Sequence, residues 1–96
     1  MTPPFSVQAT PHYDRLARRL LRQHPDFDDY ENRAREILRA DPYNRSRRHN
    51  IKKLEGVSSD EGQYRLTLGR WRFRYDIYHQ DVVLKRCSLR REDTYR

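Results

Sequence analysis

The chain has 96 residues, 21 of them Lys or Arg against 14 Asp or Glu, which gives a formal net charge of +7 and a pI near 10.0. One small basic domain spanning residues 1–96 is expected, with an aromatic-rich core, because seven Tyr, three Phe and one Trp compensate for a hydrophobic content of only 34%. The single cysteine, Cys87, excludes an internal disulfide and a thiolate zinc cluster, no apolar run reaches the roughly 18–20 residues of a membrane span, and the opening MTPPFSVQAT lacks the basic and apolar regions of a secretory leader, so a cytoplasmic location is expected.

Residues 4–10 alternate, with Phe5, Val7 and Ala9 on one side and Ser6 and Gln8 on the other, the period of a half-buried strand. Thr10 followed by Pro11 reads as a helix cap and first helical position, and Tyr13, Leu16, Ala17, Leu20 and Leu21 follow at helical spacing to about residue 24, where Pro25 stops the run. Phe27, Tyr30, Ala34, Ile37 and Leu38 repeat the pattern to about residue 41, with Asp26, Asp28, Asp29 and Glu31 crowding the end where the helix dipole favours anions. A connection of about two residues predicts a helical hairpin.

After the polar stretch DPYNRSRRHN the period changes from 3.6 to 2. Strands are expected over 63–68, 71–78 and 82–89, with tight turns at Gly69-Arg70 and at His79-Gln80-Asp81. The expected fold is α+β: one amino-terminal strand, a helical hairpin and a three-strand antiparallel meander, with the helices on one face of the sheet and the other face partly open. Alternation turns Tyr64, Leu66, Leu68, Trp71, Phe73, Tyr75 and Ile77 inward. It turns Arg65, Arg72, Arg74, Asp76 and Tyr78 outward, joined by Lys85 or Arg86 according to the register of the last strand.

Charge sharpens this picture. Residues 1–44 hold seven basic and seven acidic side chains, whereas residues 45–96 hold fourteen and seven, so the second half carries the whole +7. Clustered Lys and Arg bind phosphates by releasing condensed counterions. Like charges roughly 5 Å apart on neighbouring strands oppose folding unless an anion or a carboxylate neutralises them, so the outward arginines point to an anion site.

The blocks NIKKLEG, GQYRLTLGRWRFRYDIY and VVLKRCSLRREDTYR, with Lys53-Leu54-x-Gly56, the Trp71-Arg72-Phe73-Arg74-Tyr75 strand and the final Arg90-Arg91-x-x-x-Tyr95, resemble the RelE/ParE superfamily of toxins from bacterial type II toxin–antitoxin systems over essentially the whole chain. The resemblance implies two alternative activities on one scaffold: RelE-like cutting of mRNA, usually on the ribosome, which inhibits translation, or ParE-like inhibition of DNA gyrase without catalysis. It implies a cognate antitoxin as partner. For the RelE-like reaction it places Arg65, Arg72, Arg90 or Arg91, and Tyr95 among the catalytic groups, with Lys52, Lys53, Arg74, Lys85 and Arg86 as further RNA contacts.

Metal-free RNA cleavage needs a base for the 2′-hydroxyl, stabilisation of the phosphorane charge and an acid for the 5′-oxygen. Arginine suits the middle task, since its guanidinium stays charged and engages two oxygens. The pattern departs from the family at Thr67, where a second Lys is often found. Lys52, Lys53 or Arg65 are left to compensate, a lysine base needing a pKa depressed by neighbours such as Arg65 and Arg72. A Glu and His scheme would draw on His49, Glu55 or His79, although these read as surface residues, and His12 and His24 read as helix-end packing. The sequence has no HExxH, CxxC, glycine-rich phosphate loop or Gly-x-Ser-x-Gly, and neither metal nor cofactor is expected.

Overall fold

The computed structural model describes residues 4–58 and 60–90. In chain order the elements are β1 (Ser6–Ala9), α1 (Pro11–Gln23), α2 (Phe27–Ala40), β2 (Asn50–Lys53), β3 (Tyr64–Leu68), β4 (Trp71–Tyr78) and β5 (Asp81–Leu89). Thr10 caps α1 as expected, its Oγ1 accepting from the Tyr13 amide at 3.1 Å, and Pro11 occupies a first-turn position where a missing N–H costs nothing. The fold is α+β, as expected.

The strands form one five-stranded sheet in the order β1-β5-β4-β3-β2. Four expected strands become five, because NIKK forms an edge strand antiparallel to β3, with Lys52 opposite Arg65. Only Ile51 in that stretch is apolar and half-buried, so no alternation marks it. Side chains before the strand hold it in place. Asp41 accepts from the Arg45 and Ser46 amides, and Asn44 exchanges two hydrogen bonds with the backbone of His49. At the far edge β1 runs parallel to β5, so the sheet is mixed.

The turn joining β4 and β5 is one residue shorter than expected. Tyr78 pairs with Asp81, leaving His79 and Gln80 as the loop, with His79 at φ 56°. Such left-handed positions are the ones a two-residue hairpin demands.

Both helices cover one face of the sheet, α1 against β5 and α2 against β1, β3 and β4. The layer between them is aromatic. Phe27 stacks on Phe73 and meets Trp71 edge to face, and Tyr75 stacks on Tyr64 while donating from its hydroxyl to the Pro42 carbonyl at 2.7 Å. Aromatic pairs of this kind add about 0.5–1.5 kcal/mol each beyond the area they bury. Tyr13, Phe27, Leu66, Trp71, Phe73, Tyr75 and Leu84 are all fully or almost fully buried, which fixes the register and so sends the alternate side chains of β3, β4 and β5 to the opposite face. No helix among the described residues is long and apolar enough to cross a membrane.

Candidate functional site

That opposite face presents its cations in rows. Reading across the strands, Lys52 stands opposite Arg65, Arg65 opposite Arg74, and Arg74 opposite Arg86. The next row holds Thr67, Arg72 and Ser88. The register of β5 answers the choice between Lys85 and Arg86 in an unexpected way: a bulge after Arg74 sets Leu84 opposite Tyr75 and Arg86 opposite Arg74, so Leu84 and Cys87 point inward and both intervening residues lie on the outer face. The apolar spacing already carries this signal, with Val82 and Leu84 at even positions and Cys87 and Leu89 at odd ones.

Between these rows lies a cleft of about 220 Å³ lined by Leu54, Glu61, Arg65, Arg72, Arg74, Arg86 and Ser88. Its four arginines fall into two pairs with different surroundings. Arg74 donates from Nε and NH2 to the Gly62 carbonyl at 3.2 and 2.7 Å, and the Glu61 carboxylate lies 3.1 Å from Arg86 NH1 and 4.0 Å from Arg74 NH1. Arg65 and Arg72 have nothing comparable. Their Nε atoms are buried without a hydrogen-bond partner, and no carboxylate stands within ion-pair distance of either among the described residues. A buried unsatisfied donor costs about 1–3 kcal/mol, more when charged, and an anion bound between Arg65 and Arg72 would remove that cost.

The remaining expected site residues are placed as follows. Lys52 flanks the cleft beside Arg65 on the edge strand. Lys53 is on the other face, with its ammonium 5.9 Å from the centre of the Tyr64 ring. Lys85 is turned toward Asp76, whose carboxylate it meets at 2.9 Å, and donates to the Tyr78 hydroxyl at 2.9 Å. Burial opposes the Lys85 charge, but these bonds to Tyr78 and Asp76 outweigh it and raise the ammonium pKa above its ordinary value. Asp76, expected to face outward, does lie on that face yet is buried under Lys85, and it also accepts from the Gln63 amide at 2.7 Å. Arg90 follows β5, its amide bonded to the Arg70 carbonyl at 2.6 Å. Arg91 and Tyr95 lie outside the described residues.

The alternative acid and base candidates do not enter the cleft. His49 sits 3.9 Å from Asp41, His79 is in the β4–β5 turn and His24 packs on Trp71, while Glu55 and His12 are exposed and line none of it. The carboxylate that does line it, Glu61, was not singled out by sequence reasoning. It stands in a turn with no periodicity, and only its position three residues before β3, the strand that carries Arg65, marks it.

Comparison of the chain with protein-family models, with curated proteins and with solved structures finds no match.

Proposed function

We propose that the chain is the toxin of a type II toxin–antitoxin pair, acting in the cytoplasm as a metal-independent mRNA endoribonuclease on the ribosome and neutralised by a cognate antitoxin. The observation that carries this reading is the pair of buried, unpartnered guanidinium Nε donors of Arg65 and Arg72 in a cleft with two further arginines. The family resemblance of the sequence supplies the reaction. Four guanidinium groups converging from three adjacent strands suit a pentacoordinate phosphorane better than they suit a neutral ligand.

In the proposed step the 2′-oxygen of one nucleotide gives up its proton and bonds to the adjacent phosphorus, and the bond from phosphorus to the 5′-oxygen breaks. The products are a 2′,3′-cyclic phosphate and a 5′-hydroxyl, the latter receiving a proton from an acid. Arg65 and Arg72 neutralise the charge that grows on the non-bridging oxygens. Glu61, the carboxylate among the lining residues, takes the part of the base that the absence of Lys at position 67 leaves open. Tyr95 and Arg91 stay as candidates for the acid and a further clamp on the strength of the resemblance alone.

The test is induction of the chain alone in a bacterial host, with mapping of mRNA 5′ ends and, separately, of gyrase-linked DNA breaks. New 5′ ends and growth arrest relieved by the antitoxin are expected. Gyrase-linked breaks without new mRNA ends would replace the reading with gyrase inhibition, and unimpaired growth would remove both.

A further inference from the structure

The second basic surface of the molecule lies on α1, in the half of the chain that has no net charge. Arg15, Arg18, Arg19 and Arg22 follow at the i, i+3, i+4, i+7 spacing, so all four share one face. Tyr13, Leu16, Ala17 and Leu20 follow the same spacing toward the core, and at about 100° per residue the two stripes point in nearly opposite directions. The four arginines are exposed and line a shallow groove of about 350 Å³ among themselves. None of them forms an ion pair among the described residues, although Asp14 lies one turn before Arg18.

This arrangement works against the helix. Arg15 with Arg19 and Arg18 with Arg22 are like-charge pairs one turn apart, and such pairs weaken a helix. In α2 the same spacing is used the other way, with Glu31 pairing to Arg35. Arg15 also stands near the amino-terminal end of α1, where the dipole disfavours cations. Four unpaired arginines that cost the fold stability make a surface for an external polyanion.

We infer that the exposed face of α1 is a docking surface for the phosphate backbone of duplex RNA. From Arg15 to Arg22 the helix advances roughly 10 Å, long enough for its arginines to reach several phosphates of a nucleic-acid backbone. Guanidinium groups aligned along one helix face suit backbone phosphates, and duplex RNA is a partner that proteins recognise mostly by shape and backbone. The choice of RNA rests on the reading of the cleft given above. That cleft is on the opposite side of the sheet, so one molecule of 38 × 28 × 26 Å would hold a single strand on one face and a structured RNA on the other.

The test uses a 20-base-pair RNA duplex with no single-stranded region, which the cleft cannot cut, and measures its affinity for the full chain over a series of salt concentrations. The variant with Arg15, Arg18, Arg19 and Arg22 all changed to Gln should bind more than tenfold more weakly, with the slope of log K against log salt reduced by about 3. Arg15→Gln with Arg19→Gln should show an intermediate loss, which guards against a folding defect in the quadruple variant. Arg65→Met with Arg72→Met should leave duplex binding within twofold while removing cleavage. An unchanged slope in the quadruple variant overturns the inference, and so does tighter binding of the same-sequence DNA duplex or of anionic vesicles than of the RNA. Loss of binding of a short single-stranded 2′-deoxy RNA analogue by the α1 variants would also overturn it, since the two faces would then not be separate.

Discussion

Arg65 and Arg74 face each other across β3 and β4, and among the described residues only Arg74 has side-chain partners. The Gly62 carbonyl and Glu61 come from the loop that precedes β3, so this loop neutralises the Arg74 and Arg86 side of the cleft and leaves Arg65 and Arg72 without a carboxylate among the described residues. Repulsion between like charges on directly opposed strand positions is thus relieved in half of the site.

The unpartnered donors predict a trade between stability and activity. Arg72→Met and Arg65→Met keep the apolar stem that packs on the sheet and remove a buried N–H without a partner. Each should raise the melting temperature or leave it unchanged, and each should lower RNA cleavage more than tenfold, about 1.4 kcal/mol in the transition state. Thermal unfolding and a single-turnover cleavage assay on the same preparations check both. A variant that unfolds, or that cuts at the wild-type rate, contradicts the assignment.

Glu61→Gln separates a carboxylate that merely fills the site from one that acts in it. Its ion pair with Arg86 is about two-fifths exposed on both sides, so its loss should cost only about 0–1 kcal/mol of stability. Removing the negative charge frees Arg74 and Arg86, and a 2′-deoxy RNA analogue, which cannot be cut, should bind several-fold more tightly. Cleavage of the normal substrate should nevertheless fall more than tenfold. Tighter binding with faster cleavage would show that Glu61 only competes with the phosphate.

Much of this arrangement is legible in the sequence, and the parts that are not share a cause. The helices announce themselves through Thr10-Pro11 and the spacing of Tyr13, Leu16 and Leu20, and the alternation of Trp71, Phe73 and Tyr75 assigns Arg72 and Arg74 to the open face without ambiguity. A pattern argument needs several apolar residues to read a period, and β2 offers only Ile51. The partners of the arginines are invisible for a related reason. Glu61 and Gly62 belong to a loop whose backbone is held by the Arg74 and Asp76 side chains of β4, and Lys85 leaves the cleft for Asp76 because a bulge turns it there.

Stability should fall on the alkaline side, starting near pH 9. Burial, reinforced by the Glu31 carboxylate, pushes the Cys87 thiol up to about 12 from 9.0, and burial above all raises the Tyr13 and Tyr75 phenols from 10.0. The folded chain therefore keeps these protons after the unfolded chain has released them. The unfolded state binds fewer protons, so the contribution is complete below about pH 9 and declines as pH rises, by up to about 1.4 kcal/mol per pH unit for each group. Cys87→Ala should flatten the fall between pH 9 and 10 while leaving the tyrosine part above it. Denaturant titrations at pH 8, 9, 10 and 11 measure the slope, and a stability that rises over this range would refute the linkage.

Gly62 is the residue on which the cleft is hung, and a pair of alanine substitutions tests this. At φ +88°, a Cβ on Gly62 would lie 2.6 Å from the Tyr75 amide nitrogen and 3.0 Å from the Arg74 carbonyl carbon, both backbone atoms that cannot yield as a side chain does. Gly56 also has a positive φ, +69°, but nothing lies within 4 Å of its virtual Cβ. Gly56→Ala should therefore cost only the left-handed backbone term, about 1–2 kcal/mol, and leave cleavage intact. Gly62→Ala adds a backbone clash, so it should cost clearly more, and the loop must move away from β4. Because the Gly62 carbonyl anchors Arg74 and the adjacent Glu61 faces Arg86, that movement should also reduce cleavage at temperatures where the variant is still folded. Equal effects of the two substitutions on both stability and cleavage would mean that the loop's contact with β4 does not set the geometry of the site.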